Sequence, residues 1–190
     1  MTFEGEGVRI RRAAGEDVDF LLELLTHGDV DPYLAGGRAR DRDGVAAEVE
    51  RSSSEPDEFG RFVVEVLDGG EWRRAGAMGF EVANRRSRIA NLGGLAVHPQ
   101  FRGRRLADEA VRLLQRHLLL DLGYHRLQLE IYGFNERAIA HVERAGFVRE
   151  GVRRKAYRRH GEWIDGVLFG LVREDLEPDP RDERPDASPT

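Results

Sequence analysis

Residues 95 to 107, Leu-Ala-Val-His-Pro-Gln-Phe-Arg-Gly-Arg-Arg-Leu-Ala, run an apolar strand through a Pro-marked turn into an Arg-Gly-Arg-Arg loop that opens a helix. The first amides of a helix have no intrahelical acceptor, and the helix dipole adds partial positive charge at that end. A phosphate is suited to such a place. Gly103 permits close backbone approach, while Arg102, Arg104 and Arg105 supply charge and forked donors. The chemistry is that of a pyrophosphate cradle. The competing reading is a solvated, arginine-rich helix start with no ligand.

A second block lies downstream. Leu127-Gln-Leu-Glu-Ile-Tyr alternates as a strand does, with Leu127, Leu129 and Ile131 on one face and Gln128, Glu130 and Tyr132 on the other. Asn135 is placed to cap a helix over Glu136 to Ala145, which Gly146 ends. Cysteine is absent, so there is no disulfide framework, thiolate metal site or cysteine nucleophile. The six histidines, His98, His117 and His125 among them, show no ligand spacing, so no metal is expected.

The elements that must position these residues are legible from periodicity. Val8 to Ala13 reads as a first strand, and Asp17 to Leu25 carries Val18, Leu21, Leu22 and Leu25 at helical spacing. His27 to Gly44 is loop-rich, and Val45 to Ser52 has the pattern of a short helix. Arg61 to Leu67 and Trp72 to Val82 read as strands around the hairpin turn Asp68-Gly-Gly-Glu. Ile89 to Val97 follows the arginine-rich turn Asn84 to Ser87. A helix over Arg104 to Leu120 comes next, and after Arg126 to Tyr132 and the second capped helix the chain closes with strands Phe147 to Tyr157 and Trp163 to Val172. This alternation, with no repeat and no internal linker, predicts one α/β domain over 1–175 with helices on both faces of a mixed, mostly antiparallel sheet.

Composition agrees. At 190 residues and 40% hydrophobic content, a single domain with a sizeable core is expected. No run reaches the length of a membrane span and no signal-peptide core opens the sequence, which predicts a cytoplasmic protein without membrane partners. The net charge of −5 is uneven. From Glu174 onward, seven acids (Glu174, Asp175, Glu177, Asp179, Asp182, Glu183, Asp186) face two arginines, so the rest of the chain is near neutral. That balance gives no global case for nucleic acid. The segment 176–190 is acidic and proline-rich with almost no apolar residues, and is expected to be a disordered, solvated tail.

The loop resembles the acyl-CoA-binding motif of the GNAT superfamily of N-acetyltransferases, Val-x-Pro-x-x-Arg-Gly-x-Gly-x-Gly/Ala, with Val97, Pro99, Arg102, Gly103 and Ala107 in order. Arg105 stands where the family has its central glycine, a position read here as helical or extended. The second block is similar to the family's Asn-x-x-Ala-Ile-x-x-Tyr-Glu-x-x-Gly-Phe-x-x-Glu-Gly signature, through Asn135, Ala138, Ile139, Glu143, Gly146, Phe147, Glu150 and Gly151. The segment Arg153 to Asp165 looks like the branch acting on ribosomal-protein N-termini or polyamines. The resemblance covers roughly residues 7 to 175. It implies the GNAT fold, an α/β (α+β) arrangement with roughly six to seven strands and about four helices.

It also implies acetyl-CoA as co-substrate, a primary amine as acceptor and direct attack in a ternary complex. An alkylamine with a pKa near 10 is only about 0.1% neutral at pH 7, so its proton must be removed. By resemblance, Leu95, Ala96 and Val97 hold the pantetheine arm with main-chain groups, a backbone N–H at Ala96 or nearby being the candidate oxyanion donor. Arg102, Gly103, Arg104, Arg105, Leu106 and Ala107 hold the phosphates. Asn135 and Ala138 complete the cofactor site. Both usual side-chain roles fall on unsuited residues: Asn91 stands at the glutamate base position and Val142 at the tyrosine acid. Asn91 would orient a water. Glu130 is the replacement base, ahead of Glu81 and His98, and either the thiolate leaves unassisted or Tyr132 or Tyr157 is the replacement acid. The competing reading for each carboxylate is an ion-paired sheet residue. The loop His27 to Gly44 and the segment Tyr157 to Trp163 would wall the acceptor site. Asp31, Glu81, Glu130 and Asp165 would offer charge to it, and Tyr33, Tyr132 and Trp163 packing surface. A homodimer is left open. Two other functions stay in view: a non-catalytic acyl-CoA-binding regulatory module, and an RNA- or ribosome-binding protein using arginines 102–105 and 153–159, against which the neutral domain and acidic tail argue.

Overall fold

The β-branched and aromatic runs form strands and the segments of helical period form α-helices. In chain order these are β1 (Thr2–Glu4), β2 (Val8–Arg12), α1 (Val18–Thr26), α2 (Arg42–Ser54), β3 (Phe59–Asp68), β4 (Glu71–Asn84), β5 (Ile89–Val97), α3 (Leu106–Arg116), β6 (Arg126–Tyr132), α4 (Glu136–Arg144), β7 (Val148–Arg159) and β8 (Glu162–Val172). The computed structural model describes residues 1–34, 41–159 and 161–176. The acidic tail beyond Leu176 and the middle of the loop expected at His27 to Gly44 lie outside the described residues.

The strands form one sheet in the order β1-β2-β3-β4-β5-β6-β8-β7. Eight strands exceed the six to seven expected, because the three-residue β1, too short to show a period, pairs with β2. Side chains alternate across the sheet and so feed two cores. Phe62, Val64, Met78 and Phe80 pack with α3, through Leu106, Ala110, Val111 and Leu114, and with Val142 of α4. Val63, Ala77 and Ala96 pack on the other face with Leu21 and Leu24 of α1 and Val45 and Val49 of α2.

Two departures from the expected boundaries matter for the site. The helix expected from Arg104 begins at Leu106, because Arg105 takes a left-handed conformation (φ 55°, ψ 21°) instead of the helical or extended one. Its last turn, His117–Asp121, widens to a π-turn.

Only β5 and β6 run parallel, and their ladder is short: Ile89, Ala90 and Asn91 pair with Arg126, Leu127 and Gln128. Beyond Asn91 and Gln128 the strands part, though β5 continues to Val97 and β6 to Tyr132. A bulge drives the parting. Between the pairs Ala77–Ala96 and Gly79–Gly93, the residues Gly94 and Leu95 together face Met78, and Gly94 adopts φ 67°. An extra residue bends a strand and re-aims its main chain.

Candidate functional site

The parting of β5 and β6 opens a cleft of about 660 Å³, a size typical of small-molecule sites. Its floor and walls include Gly93, Gly94 and Leu95 of β5, Glu130 and Tyr132 of β6, His141 and Val142 of α4, and Tyr157 of β7.

Beyond the cleft lining, β5 runs out into the Arg-Gly loop. The amides of residues 103 to 107 have no backbone acceptor, the first such bonds of α3 being those of Asp108 and Glu109 to the Arg105 carbonyl. Gly103 adopts φ 84° with open space where a Cβ would stand. The arginines divide their labour. Arg102 turns inward, its guanidinium donating to the Val97 carbonyl at 3.3 Å and the Asp29 carbonyl at 3.0 Å. Arg104 donates to Asp68 at 3.2 Å and lies over the Phe101 ring. Arg105 is exposed and, among the described residues, bonds to nothing through its side chain. Of the arginines expected to meet a phosphate, two are thus braces of the loop. Leu106 is buried in the core and Ala107 half-buried, which leaves their main-chain amides facing the loop.

Along the wall, His98 N–H donates to the Ala75 carbonyl of β4 at 2.8 Å. The antiparallel alternation then turns Ala96, paired with Ala77, toward β4 as well. The open edge is offered by its neighbours Leu95 and Val97. Asn91 sits at the vertex of the cleft, where its Oδ1 accepts from Gln128 Nε2 at 2.8 Å. Asn135 caps α4, accepting from Ala138 N–H at 3.2 Å.

The other end is made of side chains. Glu130 and Tyr132 lie two residues apart on one face of β6. Glu130 Oε2 accepts from Tyr157 Oη at 2.7 Å and from Arg153 at 3.0 Å. Its Oε1 is buried without a partner, close above Gly166, where any Cβ would collide with it. Burial first, and then the Glu130 carboxylate, push the Tyr157 phenol up to about 12, so it is protonated at neutral pH. Tyr132 is buried against Tyr157 and stacked on Phe134, with centroids 5.2 and 5.7 Å apart. Tyr33 packs on Phe134 at 5.9 Å. Arg159 lies over the Tyr132 ring and donates to the carbonyls of Asp31, Pro32 and Leu34 at 3.1–3.2 Å, which anchors the turn carrying Tyr33.

Asn91, Glu130 and Tyr132, expected to do chemistry, do share the cleft. Asp31, Glu81 and Asp165 do not line it, and Asp165 instead accepts from Lys155 N–H at 2.7 Å. Sequence reading missed the bulge, although a Gly-Gly pair inside a strand pattern signals one. It also missed His141, held by Asp108 of α3 at 2.6 Å and pushed by burial below its ordinary pKa. The sequence marks Arg153 and Arg159 only as members of an arginine-rich segment, not as partners of Glu130 and Tyr132. Among the described residues no group of three His, Asp or Glu side chains is arranged for a metal ion, and no helix is long and apolar enough to cross a membrane.

A family model described as an acetyltransferase (GNAT) domain matches residues 8–148. The SPbeta prophage-derived uncharacterized N-acetyltransferase YokL of Bacillus subtilis (strain 168) is 36% identical over 83 residues, 44% of this chain and 47% of that protein. The match thus spans about half the length of that curated relative. Among solved structures, spermidine N-acetyltransferase from Vibrio cholerae in complex with CoA and spermine superposes with a TM-score of 0.81 at 18% identity, over 90% of this chain and 99% of that one. Ribosomal-protein-S5-alanine acetyltransferase from Vibrio fischeri does so at 0.77 and 18%, over 94% and 100%. At such identities the likeness is one of fold.

Proposed function

The chain belongs to the GNAT acetyltransferase family, and from that premise we propose that it transfers an acetyl group from acetyl-CoA to a primary amine by direct attack. The observation that carries this reading is the course of β5, which borders the cleft of the buried carboxylate–phenol pair at Gly93 to Leu95 and then runs on into a loop of unbonded amides. The amides of residues 103 to 107 suit the pyrophosphate. The open edge of β5 at Leu95 and Val97 suits the amide-bearing arm as an added strand would. Acetyl-CoA supplies the activated acetyl group when bound.

The chain's own residues do the proton work. Glu130 takes a proton from the acceptor ammonium at Oε1, which has no other partner. The neutral nitrogen then forms its bond to the acetyl carbon as the carbon–sulfur bond breaks, and its second proton leaves to solvent. Tyr157 gives its proton to the departing sulfur. Once Glu130 is protonated, the charge that helps hold the phenol up is gone. Glu130 then loses its Oε1 proton to solvent and the phenolate regains one from solvent, since their 2.7 Å hydrogen bond is to the other oxygen, Oε2. Glu130 and Tyr157 thereby fill the roles that Asn91 and Val142 leave open. Asn91, paired to Gln128, fixes the vertex of the cleft.

Calorimetry with acetyl-CoA, followed by thiol release on adding amines, tests the reading. Micromolar binding and amine-dependent release are expected. Binding without release on any amine would favour a non-catalytic acyl-CoA module, and no binding would end the reading.

A further inference from the structure

The acceptor's class follows from charge bookkeeping in the cleft. Two carboxylates, Glu130 and Glu150, are among its described lining residues, and so are two arginines, Arg126 and Arg153. Each acid is already held by an arginine. Glu150 is gripped by both ends of the Arg126 guanidinium, one bond at 2.7 Å, which keeps its carboxyl below the usual range. Glu130 is bound by Arg153. The lining therefore carries no net negative charge. On the rim, Arg159 adds a cation over the Tyr132 ring.

A polyamine brings several ammonium groups along one chain, and each must trade its water for an acceptor. The one carboxylate oxygen of the described lining that has no hydrogen-bond partner is Glu130 Oε1, a buried atom. Around it stands aromatic surface. Tyr33 is 51% exposed and Phe134 43% exposed, side by side at the mouth, with Tyr132 and Tyr157 inside. Large rings left in solvent beside a cleft mark a place where an apolar body can be buried.

We propose that the acceptor is a monoamine borne on an aromatic or similarly apolar body, and not a polyamine. Its ammonium sits at Glu130 Oε1 and its body against Tyr33 and Phe134. This rests on the acetyltransferase reading above and narrows it.

The test is thiol release from acetyl-CoA by the full chain, comparing phenethylamine and tryptamine with spermidine and spermine. The monoamines should exceed the polyamines by about tenfold or more in kcat/KM, the scale on which a pocket separates unlike side groups. Spermidine or spermine turned over as well as the monoamines would overturn the proposal and leave the transferase reading intact. Acetyl-CoA binding with no release on either class would overturn both. A second measurement uses Arg153→Ala, which removes a cation and uncovers Glu130 Oε2. The spermidine-to-phenethylamine ratio should rise several-fold, and an unchanged ratio would count against charge as the selector.

Discussion

The two ends of the candidate site are made of different material. The loop end is main chain: free amides at 103 to 107, set by Gly103 and a left-handed Arg105. The acceptor end is side chain: Glu130 from β6, Arg153, Tyr157 and Arg159 from β7, and Tyr33 from the turn after α1. A main-chain site depends on backbone geometry and tolerates changes of side chain. A site of convergent side chains is set one residue at a time. The loop end should therefore serve a constant part of a ligand and the acceptor end the variable part.

Separable effects at the two ends would sharpen that contrast. Glu130→Gln keeps the shape of the acceptor end and removes its base. Turnover should fall by on the order of 10²–10⁴-fold, the usual worth of a general base. Acetyl-CoA affinity measured calorimetrically should stay within about twofold. A matching loss of affinity would mean that the ends are not independent.

Gly103→Pro attacks the other end. Proline fixes φ near −65°, whereas residue 103 sits at 84°, and it deletes one N–H. With about 1.5–3 kcal/mol for each hydrogen bond to a charged group, acetyl-CoA binding should weaken roughly 10- to 100-fold. Because nothing lies within 4 Å of a Cβ at Gly103, the far-ultraviolet spectrum should not change. Unchanged affinity would remove the loop from the binding site.

The same division explains what was legible in the sequence. The loop end lies within one stretch of chain, so its proline, glycine and helix start could be read in order. Each strand and helix of the core also announced itself by period, apart from the three-residue β1. The acceptor end joins residues far apart: Arg159 reaches Leu34 across 125 positions. No local pattern predicts such a meeting. Glu130 was found because strand alternation put it on the non-core face, yet its partners Arg153 and Tyr157 follow only from the antiparallel pairings of β8 with β6 and β7. The three other acids suggested for the acceptor site lie outside the cleft lining, Asp31 in the turn after α1, Glu81 on β4 and Asp165 on β8.

Arg105 lies between the two kinds of site, since it is a side chain at a main-chain position. A left-handed conformation costs a residue with a Cβ roughly 1–2 kcal/mol, and glycine avoids most of that. Arg105→Gly gives back part of it as a looser unfolded chain, so the net gain should be about 1 kcal/mol. For a domain of this size that raises Tm by about 2–4 °C, measurable by calorimetric scanning. The guanidinium is exposed and bonded to no described residue, and an exposed charge contributes about 1 kcal/mol at most. If amides hold the phosphates, acetyl-CoA affinity should fall less than about fivefold. A tenfold loss at low salt, vanishing as salt is raised, would instead make Arg105 a phosphate ligand in its own right. In that case the strain at residue 105 is retained because its side chain is used, and the loop end is only partly main chain.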